Sequence, residues 1–169
     1  MNKFKEIKPE ELDKSPFQLI GNDWMLITAE KENKINTMTA SWGGFGVIFR
    51  KNVVFIVIRP QRYTKEFVDS SDTFSLTFFD KNFKECLSYL GTVSGRDEDK
   101  ISKSKLTIKH SNSTPFFEQG NIVIICKKIY AQDLNHECFI ASELDIKCFP
   151  EKDYHTLYFA EVEKILIKE

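Results

Sequence analysis

The sequence predicts a mainly β fold, a closed antiparallel barrel with short helices inserted between strands. Apolar runs rich in β-branched and aromatic residues recur along the 169-residue chain, each about as long as one strand. The runs lack the regular alternation with helices that a parallel sheet requires. With 41% apolar residues, the chain can bury one core and is short for two domains, so we expect a single domain over residues 1–169.

The first predicted element after the amino terminus is a β-hairpin. Residues 25–41 contain two strand-like runs joined by the polar stretch 30–34, which is typical of a hairpin with a charged turn. Three glycines then fall within residues 43–46. They interrupt the pattern, so we expect a short helical turn or a bend over residues 43–49.

A buried strand and a capped helix follow. Residues 53–59 form a continuous apolar run that ends at Pro60, which indicates a strand followed by a turn. Thr64 precedes the segment 65–71 and is expected to cap a helix there. Strand character returns at residues 73–79.

The carboxyl-terminal half alternates between one helix, one loop and two long strands. Residues 82–90 place apolar side chains at helical spacing, and residues 91–100 read as a loop. The runs 121–134 and 156–169 are long enough to form strands that cross a whole barrel. The total is six or seven strands with two or three short helices.

Composition excludes several classes of function. A net charge of −1 lacks the excess of cations that nucleic-acid binding needs. No apolar run is long enough for a membrane span or an export signal, so we expect a cytoplasmic protein. The cysteines form no CxxC pair, so we expect free thiols and no metal site. They are Cys86, Cys126, Cys138 and Cys148.

Two short motifs contain a concentration of rare residues. The chain has four arginines against twenty lysines, and two of the four arginines lie in RPQRYT at residues 59–64. Two of its seven glycines lie in NTMTASWGG at residues 36–44, and a third, Gly46, lies two residues after it. Rare residues at close spacing indicate a site.

The RPQRYT motif has the chemistry of a phosphate site. A strand ends at Arg59, and Arg62 leads into the predicted helix, whose free N–H groups and dipole favour an anion. The Thr64 hydroxyl can donate a further hydrogen bond. The alternative is that Thr64 only caps the helix while both arginines pair with surface carboxylates.

The NTMTASWGG motif offers small side chains at a strand end. Thr39, Ala40 and Ser41 would let a flat ring approach backbone N–H and C=O groups, and Trp42 could flank that ring. The alternative is a strand that leaves the core through a glycine bend with a buried tryptophan. GxGxxG, GxxxxGKS and GxSxG motifs are absent, and of the scattered histidines only His155 is placed to reach a pocket rim.

With SGRDEDK at residues 94–100 and KDYHTLYFAEV at residues 152–162, the two motifs form a constellation. From about Phe17 to the end, the chain resembles the flavin-reductase-like family with the FMN-binding split barrel, which includes the flavoredoxin group. The resemblance implies a six-stranded antiparallel split β-barrel of Greek-key type. It also implies a homodimer with FMN at the subunit interface.

The resemblance implies three groups of cofactor contacts: a segment that contacts the ring, a group that holds the phosphate and ribityl chain, and a third contact loop. In that order they are Thr39, Ala40, Ser41 and Trp42; Arg59, Arg62, Tyr63 and Thr64; and Ser94, Gly95 and Lys100. His155, from its place just before the last strand, is added as a candidate that lies either behind the cofactor contacts or on the substrate side, which makes twelve residues.

The implied activity is that of an FMN-dependent oxidoreductase. Hydride would pass from NADH or NADPH to FMN and on to a small-molecule or protein acceptor, and no side chain is named as catalytic. One alternative is an FMN-binding electron carrier without nicotinamide activity. Another is a barrel that has lost its cofactor and serves as a binding module.

Overall fold

The computed structural model describes residues 3–169, so Met1 and Asn2 of the predicted domain lie outside the described residues. The strands are β1 (Phe4–Ile7), β2 (Met25–Lys31), β3 (Lys34–Ala40), β4 (Gly43–Ile48), β5 (Lys51–Ile58), β6 (Thr73–Phe78), β7 (Ile108–Ser111), β8 (Thr114–Phe117), β9 (Ile122–Asp133) and β10 (Thr156–Lys168). The α-helices are α1 (Tyr63–Ser70), α2 (Lys84–Thr92), α3 (Lys100–Ser104) and α4 (Ser142–Cys148). Single turns of 3₁₀ or π-helix lie at Pro9–Glu11, Phe17–Asp23, Lys81–Phe83 and His136–Cys138.

The main sheet is antiparallel and split. Its strand order is β3-β2-β6-β9-β10-β5-β4, with β1 added to β10, while β7 and β8 form a separate hairpin. Within the described residues β3 and β4 do not pair with each other, so the fully closed barrel expected from the strand pattern is wrong. The split barrel implied by the family resemblance is the observed fold.

Two tight hairpins build the part of the sheet near the split. The predicted hairpin over residues 25–41 is confirmed as β2 and β3, whose turn residues Glu32 and Asn33 have φ values of 50° and 62°. Two left-handed residues in succession match a hairpin turn that follows the natural twist of the strands. Phe49 and Arg50 do the same between β4 and β5, at 55° and 58°.

The glycine-rich segment is a strand and not the predicted helical turn or bend. Residues 43–48 form β4, which pairs with β5 from Gly43 opposite Ile56 to Ile48 opposite Lys51. Gly43 has φ +153°, and a Cβ there would lie 2.5 Å from the Phe55 carbonyl oxygen. The glycines therefore allow two backbones to approach closely.

The helices pack on the β2–β3 hairpin. Helix α1 contacts β2 and β3, while α2 contacts β3. The amphipathic helix predicted for residues 82–90 is confirmed as α2, preceded by a 3₁₀ turn. The expected Thr64 cap is wrong, because Arg62 occupies the N-cap position and no side chain caps α1.

Several elements were not predicted, because their sequences carry weak periodicity. Strands β1, β7 and β8 have four residues each, too few to show an alternating pattern. Helix α4 has no buried residues and therefore lacks a clear apolar face. Among residues 3–169, no helix is long and apolar enough to cross a membrane.

The close approach of β4 and β5 gives a stability prediction. Gly43→Ala should lower the free energy of unfolding by about 1–3 kcal/mol, since the new Cβ would collide with a backbone carbonyl at an unfavourable φ. Gly46→Ala in the same strand is the control, because no atom lies within 4 Å of the position that its new Cβ would take. Urea denaturation of both variants measures the difference, and equal stabilities would contradict this account.

Candidate functional site

A cleft at the ends of β3 and β5 consists of two adjoining cavities, of about 380 and 150 Å³. Both are lined by Met38, Arg59 and Arg62, so they form one continuous depression. The larger cavity lies between the β5–α1 turn and the loop after α2. The smaller one lies along the end of β3.

The cleft brings together all twelve residues that the sequence predicted for a site. The larger cavity is lined by Arg59, Arg62, Tyr63, Thr64, Ser94, Gly95 and Lys100. The smaller cavity is lined by Thr39, Ala40, Ser41, Trp42, Arg59, Arg62 and His155. Their proximity is a result of the fold, while the binding role of each stays a prediction.

Sequence reasoning missed several residues that also line the cleft. They are Asn36, Met38, Val57, Gln61, Thr92 and Val93. Asn36 and Met38 belong to the NTMTASWGG motif and Gln61 lies within RPQRYT, so membership of a motif was the available signal. Val57 of β5, Thr92 at the end of α2 and Val93 directly after it lie outside both motifs and carry no such signal.

Strand β3 and helix α2 are fastened together beside the cleft. The Thr39 hydroxyl donates a 2.5 Å hydrogen bond to the Leu87 carbonyl of α2. A Cβ at Gly91 would lie only 3.0 Å from the Thr39 Cβ, so the helix end lies close to the strand. Because the Thr39 hydroxyl is hydrogen-bonded to α2, Thr39 offers mainly its backbone N–H and C=O groups to the cleft.

The carboxyl end of α2 is capped by two cations. Lys100 Nζ donates to the Leu90 and Val93 carbonyls at 2.7 and 2.9 Å, and Arg62 Nη1 donates to the Gly91 carbonyl at 2.9 Å. These carbonyls have no partner inside the helix, and the helix dipole favours positive charge there.

The two capping cations carry charge that no carboxylate neutralises. Within residues 3–169, neither Arg62 nor Lys100 forms an ion pair with an acidic side chain. Lys100 is only 4% exposed. Burial, and secondarily the nearby Arg62 charge, lowers the Lys100 pKa to about 8. Positive charge that is buried without a counter-charge favours binding of an anion.

Arg59 has a different environment from Arg62. Its Nη1 pairs with Asp153 Oδ2 at 2.7 Å, and the Gln61 amide donates to the same oxygen at 2.7 Å. The Gln61 hydrogen bond and the Arg59 charge lower the pKa of Asp153. Arg59 therefore fastens the segment before β10 to the β5–α1 turn, and its charge is already balanced.

The amino end of α1 opens into the larger cavity. The side chain at the N-cap position accepts no hydrogen bond from the first N–H groups of this helix. Thr64 is buried, and its hydroxyl oxygen accepts a 3.0 Å hydrogen bond from the Asn36 amide. The hydroxyl proton is thus directed away from Asn36 and can serve as a donor.

The smaller cavity ends in an aromatic group. Trp42, which is 46% exposed, stacks on His155 with ring centroids 5.2 Å apart, and Phe149 meets His155 edge-on. Burial, and then the Arg59 charge, lowers the His155 pKa to about 4, so this ring is neutral at pH 7. His155 Nδ1 is buried without a hydrogen-bond partner among the described residues.

The chain belongs to the flavin reductase like domain family. The family model matches residues 17–167, which include both motifs, all twelve predicted site residues, β2 to β9 and all of β10 except its last residue. A comparison with curated proteins gave no significant match.

Solved structures of the same fold include flavin-related proteins from several bacteria. The FMN-binding domain of a flavin reductases-like enzyme from Shewanella baltica OS155 is 16% identical, covers 98% of this chain and 78% of that chain, and has a TM-score of 0.72. The flavoredoxin of Desulfovibrio vulgaris is 17% identical over 96% and 78%, with a TM-score of 0.69. The styrene monooxygenase flavin reductase of Pseudomonas putida S12 is 13% identical over 85% and 77%, with a TM-score of 0.59. At such identities, the likeness establishes the fold.

The buried His155 gives a prediction about acid stability. The unfolded chain takes up a proton on this imidazole near pH 6.5, whereas the folded chain resists it until about pH 4. Stability should therefore fall as the pH is lowered through this window, and His155→Gln should make the fall shallower.

Urea denaturation at pH 7, 5.5 and 4.5 measures the effect. His136→Gln, which changes an exposed histidine, is the matched control. An unchanged pH dependence in the His155 variant would show that burial of this ring does not oppose its protonation.

Proposed function

We propose that the protein binds FMN in the cleft and is an NAD(P)H-dependent oxidoreductase of the flavin reductase type. The observation that carries the proposal is a pair of cations without carboxylate partners, the buried Lys100 and the partly buried Arg62, beside the amino end of α1 and a strand end with small side chains. Family membership and the similar FMN-binding proteins support the same conclusion.

The larger cavity suits the phosphate of FMN. Arg62 and Lys100 supply two charges without acidic partners, and the amino end of α1 supplies N–H donors. Thr64 can add a hydroxyl donor. A phosphate monoester carries nearly two negative charges, and burying part of that charge requires such cations and donors.

The smaller cavity suits one edge of the flavin ring. Residues 39–41 have small side chains, and the Thr39 hydroxyl is turned to α2, so backbone groups are left to meet the polar edge of a heterocycle. Trp42 and His155 would lie at the far end of that ring. Arg59, already paired with Asp153, would position this region and not grip the phosphate.

The chain would hold and orient the reacting partners without an acid or a nucleophile of its own. FMN, when bound, supplies the hydride acceptor. The protein fixes its two ends, and the neutral His155 ring with Trp42 forms an apolar wall for the approaching nicotinamide. Because His155 is neutral at pH 7, it would act by shape and hydrogen bonding.

A second candidate is an FMN-binding electron carrier that takes electrons from a protein partner. The similarity to the flavoredoxin of Desulfovibrio vulgaris, at a TM-score of 0.69, favours it. A carrier needs the same FMN site, because only the electron donor differs. It would hold FMN and oxidise NADH or NADPH negligibly.

We also propose a cytoplasmic homodimer with FMN at the interface. Exposed apolar side chains at the β4–β5 hairpin and on the segment around α4 support a partner surface: Val47, Phe49, Ile140, Leu144 and Ile146. Arg62 and Lys100 lie in the cleft, so their charges are an observation separate from this apolar surface. The electron acceptor, a small molecule or a protein, would reach the ring from the open side of the smaller cavity.

Spectroscopy tests the proposed function. The purified protein should be yellow, or should bind added FMN, and its absorbance near the flavin band should bleach when NADH or NADPH is added without oxygen. Binding of FMN without bleaching would favour the electron carrier. A protein that neither contains nor binds FMN would exclude both candidates.

Arg62 gives a quantitative prediction for the same site. Arg62→Ala should weaken FMN binding by about 1.5–3 kcal/mol, because a charge-assisted bond to the phosphate is lost. Riboflavin, which has no phosphate, should lose much less affinity. Flavin fluorescence titration measures both ligands. Lys5→Ala removes an equal charge from an exposed position on β1, outside the cleft and the proposed partner surface, and should leave both affinities unchanged; if Arg62→Ala matches this control, Arg62 does not bind the phosphate.

A further inference from the structure

The loop between α2 and α3, residues 93–99, forms one wall of the larger cavity. Ser94 and Gly95 line that cavity. The loop is held to α2, because Tyr89 of α2 donates to Glu98 at 2.8 Å and Lys100, directly after the loop, donates to the Leu90 carbonyl of α2 at 2.7 Å. These bonds fix the loop relative to α2, but they do not fix its distance from the opposite wall, which is the β5–α1 turn.

Arg96 connects the loop to that opposite wall. Its Nη1 donates to the Gln61 carbonyl at 3.1 Å, and its Nη2 forms an ion pair with Glu66 of α1. The guanidinium carbon lies 4.6 Å from the centroid of the Tyr63 ring. Gln61 and Tyr63 line the cavity, while Arg96 is not among its lining residues.

The geometry of the connection depends on the shape of the guanidinium group. The planar fork of an arginine can satisfy a carbonyl and a carboxylate at once while it stacks on an aromatic ring. A lysine offers a single charged nitrogen and cannot make all three contacts. The exposed ion pair with Glu66 contributes little by itself, so the combination of contacts is what holds the two walls together.

The loop approaches the opposite wall closely at Gly95, the residue before Arg96. At Gly95 a Cβ would lie 2.3 Å from the Asn36 side-chain oxygen and 3.3 Å from the Tyr63 ring. The loop backbone therefore packs directly against β3 and the start of α1. A loop released by a few tenths of an ångström would lose this contact and widen the cavity.

We propose that Arg96 is a positioning residue that holds the 93–99 loop against the β5–α1 turn and thereby sets the width of the phosphate end of the cleft. It acts on the ligand through Ser94, Gly95 and Tyr63 and does not touch the ligand itself. The identity of the ligand in this inference rests on the proposed function, whereas the connection between the two cavity walls rests on the Arg96 contacts described above.

The test compares Arg96→Ala with Lys103→Ala. Each variant loses one positive charge and one ion pair, but Lys103 of α3 pairs with Glu98 of the loop itself, so its loss leaves the Arg96 contacts to the opposite wall in place. In the flavin-free proteins, hydrogen exchange of the amides of residues 95–98 should be faster in the Arg96 variant alone. FMN affinity should fall roughly five- to thirtyfold in the Arg96 variant, while riboflavin affinity changes less than about threefold.

Arg96→Lys separates positioning from simple charge attraction. It should behave like Arg96→Ala, because it keeps the charge and loses the fork. Rescue by lysine, equal losses for FMN and riboflavin, or exchange rates equal to those of Lys103→Ala would each overturn the inference. If the wild-type protein binds no FMN, the proposed function fails. The hydrogen-exchange experiment alone then decides whether Arg96 holds the two cavity walls together.

Discussion

The cleft depends on how the carboxyl end of α2 is capped. Four carbonyl groups at the end of any helix lack partners within it, and here those of Leu90, Gly91 and Val93 receive hydrogen bonds from Lys100 and Arg62. The two cations come from different elements, α3 and the β5–α1 turn. Capping one helix therefore joins α2 both to the nearby α3 and to the β5–α1 turn, which is more distant in sequence, and it leaves two positive charges facing a cavity.

Charge balance separates the two arginines of the RPQRYT motif. Arg59 has a carboxylate partner in Asp153, whereas Arg62 has only a neutral carbonyl. A cation that is already paired gains little from a second anion, while an unpaired cation in a partly buried site gains much more. Two residues that look equivalent in the sequence are therefore suited to different tasks, one to fastening the fold and one to binding.

The two cavities differ in chemistry as well as in size. The larger one combines cations, a helix amino terminus and a hydroxyl, all of which favour an anion. The smaller one combines small side chains, a strand end and the Trp42–His155 stack, which favour a flat ring. A ligand that has both a charged end and an aromatic end matches the whole cleft, whereas a small anion or a flat ring alone matches only one of the two cavities. This combination is what favours FMN as the ligand that we propose for the cleft.

The sequence by itself determined the antiparallel β class, the β2–β3 hairpin, α2 and the two long strands, because long periodic runs leave few alternatives. It also determined the residue types of the site, since rare arginines and glycines were concentrated in short motifs. Only the tertiary structure decided that the glycine-rich segment is strand β4, because its three glycines hide the alternating pattern and its pairing with β5 defines the strand. Only the tertiary structure decided that Arg62 and not Thr64 occupies the N-cap position of α1, and that Asp153 neutralises Arg59. Arg62 bonds to Gly91 and Arg59 pairs with Asp153, and no local pattern of residues specifies partners so far away in the chain.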